Sequence, residues 1–294
     1  MGNPAQILEQ AVTRAATNGP KPLLKNKKAR NIDQTLTKDI EIVGRPRELY
    51  TYTLQLLDDV HKKRLPAKDL LAEVIRHLLI MRDEKDGRMA TLLAGLKRSE
   101  DDMPLSSEAI VRLIKQHLNC KNSSRLPVLI VAAAYRAAGD KIGERALPLK
   151  SHNAADEQTG AVGDVEICLI NDDQIVTVYE MKMKRVTVDD IDHALKKIAT
   201  AMARVHNYLI ITTDTVDDPV EDYAREAYEL TGGTEIAILD CIGFLRHFLH
   251  LFHRLRIAYL DAYQSLVLAE PDSAVSQPLK EAFLALRQAA EADE

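Results

Sequence analysis

The sequence predicts a mixed α/β fold, in which a helical lobe precedes a core of alternating helices and short strands. Three observations predict it. The runs VEICLI and QIVTVYEM flank the polar tetrapeptide Asn171-Asp172-Asp173-Gln174, a β-hairpin signal. Two further short apolar runs, YLIITTD (208–214) and TEIAILD (234–240), read as buried strands, each preceded by a stretch of helical spacing. Up to about residue 125, apolar residues recur at helical spacing. With 294 residues and 46% hydrophobic content, the chain can bury a large core as one or two domains.

The elements follow in order. Segments 46–63, 67–84, 88–98 and 106–119 carry helical spacing, with Gly87 and Pro104 as punctuation and Ser106-Ser107 ahead of Glu108 as a helix cap. LPVLIVAAAYRAAG (126–139) predicts a buried helix ended by Gly139. ERALPLK (144–150) predicts a first strand, weakened by Pro148. After the hairpin, Thr187 and Asp190 open an amphipathic helix with Ile191, Ala194, Leu195 and Ile198 on one face. Asp217, Asp218 and Pro219 open another, stopped by Thr231-Gly232-Gly233. A long helix is expected from about Ile242 to Ala269, and a weaker one near the C-terminus. The order over 126–240 is helix, three strands, helix, strand, helix, strand.

The hairpin carries the chemistry. One strand opens with Asp164 and the other ends in Glu180-Met181-Lys182, so Glu180 and Lys182 share a face. A three-residue loop, Asn171 to Asp173, pairs Ile170 with Gln174 and Asp164 with Glu180. A two-residue loop sends Asp164 to the other face. In the first register two carboxylates oppose each other about 4–5 Å apart and repel. A hard divalent cation relieves that repulsion, and a nearby lysine can hold a water or phosphoryl oxygens. Phosphodiester hydrolysis suits these parts.

Asp164 followed by Glu180-x-Lys182 on a hairpin resembles the PD-(D/E)XK nuclease superfamily, which includes most type II restriction endonucleases. The resemblance implies a restriction-endonuclease-like αβββαβ core, with Asp164 and Glu180 binding Mg²⁺ and Lys182 assisting the attacking water. The family's proline before the aspartate is Gly163 here. A further acid often stands on a preceding helix; Glu144 and Glu166 are the candidates. The resemblance further implies cleavage of double-stranded DNA by a homodimer, with symmetric half-sites. Residues 1–125 would form a lobe for DNA recognition or dimerisation, and 126–294 the catalytic domain with C-terminal helices. The alternatives are a repair or junction nuclease, or a catalytically silent DNA-binding protein on the same core.

Charge distribution agrees with a polyanionic partner. The net charge is −5, but residues 1–150 carry 27 Lys and Arg against 18 Asp and Glu (+9), and residues 151–294 carry 12 against 26 (−14). KPLLKNKKAR (21–30) could lie along phosphates. The loop SHNAADEQTGAV (151–162) is dense in hydrogen-bonding groups, and His152, Asn153 and Gln158 are candidates for DNA contact. Lys150 and Arg185 flank the trio as phosphate clamps, and Arg125 begins a helix where a phosphate could bind. His247, His250 and His253 recur at spacing three, but no carboxylate joins them and a partly buried helix face is the expected reading. Apolar runs are too short to span a bilayer, and residues 1–20 do not read as a signal peptide. Three widely spaced cysteines, Cys120, Cys168 and Cys241, suit free thiols of a reducing cytoplasm.

Overall fold

A computed structural model describes residues 47–96, 103–149, 162–200 and 205–292. The chain divides into two compact units, Met1–Gly87 and Arg88–Glu294. The first unit holds helix α1 (Arg47–His61) and most of α2 (Ala67–Ala94). Sequence spacing predicted a break in α2 at Gly87, but the helix runs through it. A single mid-helix glycine costs only about 1 kcal/mol, too little to break a helix of 28 residues.

The second unit contains α3 (Ser107–Leu118), α4 (Leu126–Ile142), strands β1 (Glu144–Ala146), β2 (Val165–Leu169) and β3 (Ile175–Lys182), α5 (Val188–Thr200), β4 (Asn207–Thr212), α6 (Asp218–Leu230), β5 (Glu235–Asp240), α7 (Cys241–Leu251), α8 (Arg256–Ala269) and α9 (Gln277–Ala292). Ser106 caps α3, its hydroxyl accepting from Ala109 N–H at 3.1 Å. α4 continues past Gly139 to a left-handed cap at Gly143 (φ 75°). Gly139 serves a different purpose from ending the helix. A Cβ there would sit 2.4 Å from the Glu144 carbonyl oxygen, so glycine lets β1 fold back tightly onto α4. β1 is shorter than expected, because Pro148 offers no N–H to a longer ladder; Leu147 N–H still donates to Glu166 O at 2.8 Å. The expected long helix 242–269 is broken by a 3₁₀ turn at His253–Leu255. Arg256 fixes that bend, donating to the carbonyls of Leu105 and His253 at 2.9 Å each.

The five strands lie in the order β1-β2-β3-β4-β5. β1, β2 and β3 pair antiparallel, whereas β3, β4 and β5 pair parallel. Side chains alternate across the sheet. Val165, Ile167, Tyr179, Met181 and Ile211 face a core with α3, α4, α7, α8 and α9. Val178, Tyr208, Ile210 and Ile236 face a second core with α5 and α6. Helices therefore cover both faces, as a sheet with parallel strands requires. This is the mixed α/β, restriction-endonuclease-like architecture that the sequence predicted. Cys168 and Cys241 are buried, and all three cysteines are free thiols. Among the described residues no helix is long and apolar enough to cross a membrane.

Candidate active site

Register decides whether two carboxylates meet. Val165 pairs with Tyr179, Glu166 with Val178 and Ile167 with Thr177. The ladder stops there: Asp164 lies before β2, and its N–H donates to Tyr179 O at 2.8 Å, one residue off the register that would set it opposite Glu180. The turn differs from the expected three-residue loop. A bulge between Ile167 and Cys168 shifts the ladder, so Cys168 pairs with Ile175. Val165 to Ile167 keep the expected register and the turn end absorbs the extra residue. Asp164 Oδ2 also accepts the Met181 N–H at 2.8 Å, which ties the first carboxylate to the strand that bears the second.

Gly163 is buried and fits this junction because it has no side chain. A Cβ there would lie 2.4 Å from Val178 Cγ1 and 2.8 Å from the Tyr179 carbonyl oxygen. The departure from a proline at this position thus has a local steric reason.

Glu180 and Lys182 point from β3 toward α5. Lys182 Nζ lies 3.6 Å from Glu180 Oε1 and 3.2 Å from Asp190 Oδ1. Asp190 is the third residue of α5, and its other oxygen accepts from Thr187 N at 3.0 Å and Thr187 Oγ1 at 2.9 Å. One carboxylate thus caps a helix and holds the lysine. Burial pushes the Asp190 carboxyl up, but the hydrogen bonds from Thr187 and Lys182 outweigh it and hold it below the ordinary aspartate range. Two turns along the same helix face, Lys197 Nζ donates to Glu180 Oε2 at 2.9 Å. Tyr208 Oη on β4 donates to the same oxygen at 3.3 Å and lies 3.4 Å from the Val162 carbonyl. Glu180 is 17% and Lys182 23% exposed, so the cluster is sheltered yet open to solvent.

Asp190, Lys197 and Tyr208 were not singled out from the sequence as site residues. The Thr187–Asp190 cap was legible, and the seven-residue step from Asp190 to Lys197 places both on one helical face. Which strand that face covers is a tertiary fact. Of the two candidate extra acids, Glu166 is buried beside the cluster and accepts the Val162 N–H at 2.7 Å. Glu144 pairs with Leu169, at the turn end of the hairpin, away from Asp164.

The remaining candidates scatter. Lys150, His152, Asn153 and Gln158 lie outside the described residues. Arg185 is exposed beyond the end of β3 and is ion-paired with Asp217. Arg125 requires a correction. It is 4% exposed, and its guanidinium is held by Glu270 Oε1 at 2.9 and 3.0 Å, so no phosphate can reach it. The histidines are corrected as well: His247, His250 and His253 are exposed, and Glu108 does reach His250, at 2.9 Å. No group of three metal-ligating side chains of the His, Cys, Asp and Glu types stands among the described residues.

A cavity of about 500 Å³ opens at the carboxyl ends of the parallel strands. Lys115, Asn119, Met183, Thr213, Asp240 and Arg246 are among its lining residues. Met183 follows Lys182 directly, and Thr213 N–H donates to Lys182 O at 3.3 Å, so cavity and cluster share the same sheet edge. Ligands of such sheets bind at that edge.

Residues 103–213 match the family model of the SacI restriction endonuclease C-terminal domain. Over that stretch the chain is similar to a restriction endonuclease domain. That similarity suggests a DNA-cleaving enzyme. The matched stretch runs from just before α3 to just after β4 and holds Asp164, Glu180, Lys182, Asp190 and Lys197. No curated protein matches the chain.

Proposed function

We propose that this chain is a type II restriction endonuclease that cuts double-stranded DNA sequence-specifically, with Mg²⁺ at Asp164 and Glu180. The observation that carries the proposal is the hydrogen bond from Met181 N–H to the Asp164 carboxylate, between Glu180 and Lys182 on β3, inside the stretch that matches the family. The donor set fits the ion. Mg²⁺ takes one or two carboxylates, keeps several waters and accepts substrate phosphate. When bound there, it would shield the phosphate charge and lower the pKa of a neighbouring water.

The chain's own groups supply the rest. An ammonium has three donors, and Lys182 directs one at Asp190, which leaves donors for a water. That water attacks the phosphorus in line, a new O–P bond forms, and the bond to the 3′ oxygen breaks. The leaving oxygen takes up a proton and the product keeps a 5′-phosphate. Arg185, at the end of β3, would contact a flanking phosphate, exchanging Asp217 for it. Lys150, His152, Asn153 and Gln158, in the loop that leads into Asp164, would contact phosphates or base edges. Two sites are needed to cut both strands, so the enzyme would act as a homodimer. Residues 1–125 would serve recognition or dimerisation and 126–294 catalysis.

Genomic DNA incubated with and without Mg²⁺ tests the reading. Discrete fragments only with Mg²⁺ are expected. A smear would indicate a non-specific nuclease of the repair or junction kind, and intact DNA a silent binding protein. Lys182→Ala should slow cleavage by roughly 10²–10⁴-fold while DNA binding in a gel-shift assay persists. Unchanged cleavage by that variant would remove Lys182 from the mechanism.

A further inference from the structure

We propose that Lys197 is a second, phosphate-facing catalytic residue of this site; the inference rests on the nuclease reading above and deepens it. The starting point is geometric. Lys197 reaches from α5 to Glu180 Oε2 at 2.9 Å, while Lys182 approaches the opposite oxygen, Oε1, at 3.6 Å. The two ammoniums therefore flank one carboxylate from two sides. The Lys197 side chain is 25% exposed, so it is not sealed from solvent.

Formal charge gives the second part. Asp164, Glu166, Glu180 and Asp190 contribute −4 and Lys182 and Lys197 contribute +2, a total of −2. One divalent cation brings the cluster to zero. Without Lys197 the same loaded cluster stands at −1 and repels a singly charged phosphodiester. A cation aimed where charge grows in the transition state is among the strongest catalytic devices known. Lys197 is thus the residue that offsets the excess of acid where a polyanion must approach. In the resting enzyme it neutralises Glu180. With metal at the carboxylates, like charge drives its ammonium off Oε2 and toward the phosphate oxygens. The substrate class is unchanged, a DNA phosphodiester, but the site acquires a second clamp on it.

The sign of the metal effect separates this role from a structural tie between α5 and β3. Removing a competing cation strengthens metal binding, whereas removing an anchor of a ligating carboxylate weakens it, by roughly 10–100-fold for such supporting groups. Full-length Lys197→Met and Lys197→Arg are compared with wild type in three measurements. These are Ca²⁺ binding by calorimetry without DNA, binding of a duplex bearing a mapped cleavage site in Ca²⁺, and cleavage in Mg²⁺. Lys197→Met should bind Ca²⁺ several-fold more tightly, bind the duplex about tenfold more weakly and cut roughly 10²-fold more slowly, as for loss of one charge-stabilising donor. Lys197→Arg should recover most of the duplex binding, and it keeps the test decisive if the methionine variant does not fold. Weaker Ca²⁺ binding by Lys197→Met, or duplex binding and cleavage equal to wild type, overturns the proposal. Wild-type enzyme that leaves genomic DNA intact overturns the nuclease reading itself.

Discussion

At the scale of single residues, Gly163 controls where the first carboxylate stands. Its missing side chain lets the chain pass against Val178 and the Tyr179 carbonyl just before the Asp164 carboxylate meets the Met181 N–H. Gly163→Ala forces at least one of these neighbours to move. The expected cost is about 1–3 kcal/mol of stability, as for other overpacked sites. Each kcal/mol lowers the melting temperature by about 2–4 °C in a domain of this size. Cleavage should fall with it, because Asp164 is displaced. A melting curve and a cleavage assay that both match wild type would show that the junction yields freely. The common face of Glu180 and Lys182 was readable because strand periodicity fixes it without further information. The reason for glycine at 163 was not readable, since Val178 and Tyr179 become its neighbours only once the hairpin closes.

At the scale of elements, α5 is both a cover for the sheet and a supplier of charge. Ile191 and Ala194 bury into the second core, while Asp190 and Lys197 border that apolar stripe and touch Lys182 and Glu180. Asp190→Asn keeps the shape but removes the charge that holds Lys182. The helix should lose about 0.5–2 kcal/mol from its weakened cap. Cleavage should fall further than stability explains, with a larger loss in kcat than in KM, because the lysine loses its orientation. A variant whose loss of cleavage simply followed its loss of folded protein would reduce Asp190 to a cap. The amphipathic spacing of α5 was legible in sequence. Its partner strand was not, because eight residues separate Lys182 from Asp190 and seventeen separate Glu180 from Lys197. Arg125 shows the same limit. Its counter-ion Glu270 follows 145 positions later, and only packing turns an apparent phosphate ligand into a buried ion pair.

At the scale of the whole molecule, the two cores differ in what they make sensitive. The larger one buries His117 completely, with its ring nitrogens 3.0 Å from the Tyr263 hydroxyl and from the Leu279 carbonyl oxygen. Burial pushes the imidazole down to about 4, from an ordinary value of 6.5. In the unfolded chain the ring takes up a proton below 6.5, whereas in the folded chain it resists until about 4. Stability is therefore full above 6.5 and lost progressively between these values, by up to about 3 kcal/mol. Urea midpoints from pH 7.5 to 4 should fall more steeply for wild type than for His117→Gln, and parallel curves would contradict this. Asp190 works in a lower window, its contribution failing only as pH drops below the ordinary aspartate value of 3.8. The strand order was legible because each strand had its own apolar run. The helical boundaries were less so, since the break at His253–Leu255 depends on Arg256 reaching carbonyls rather than on any glycine or proline. The irregularity at Ile167 and Cys168 has a consequence of its own. It works as slack between the two ends of the hairpin, so residues can be gained or lost around Asp172 without moving the acids at the other end. The tip of the hairpin is thus the place where this chain could drift in length over generations, or accept a grafted peptide, and still keep Glu180 and Lys182 in line.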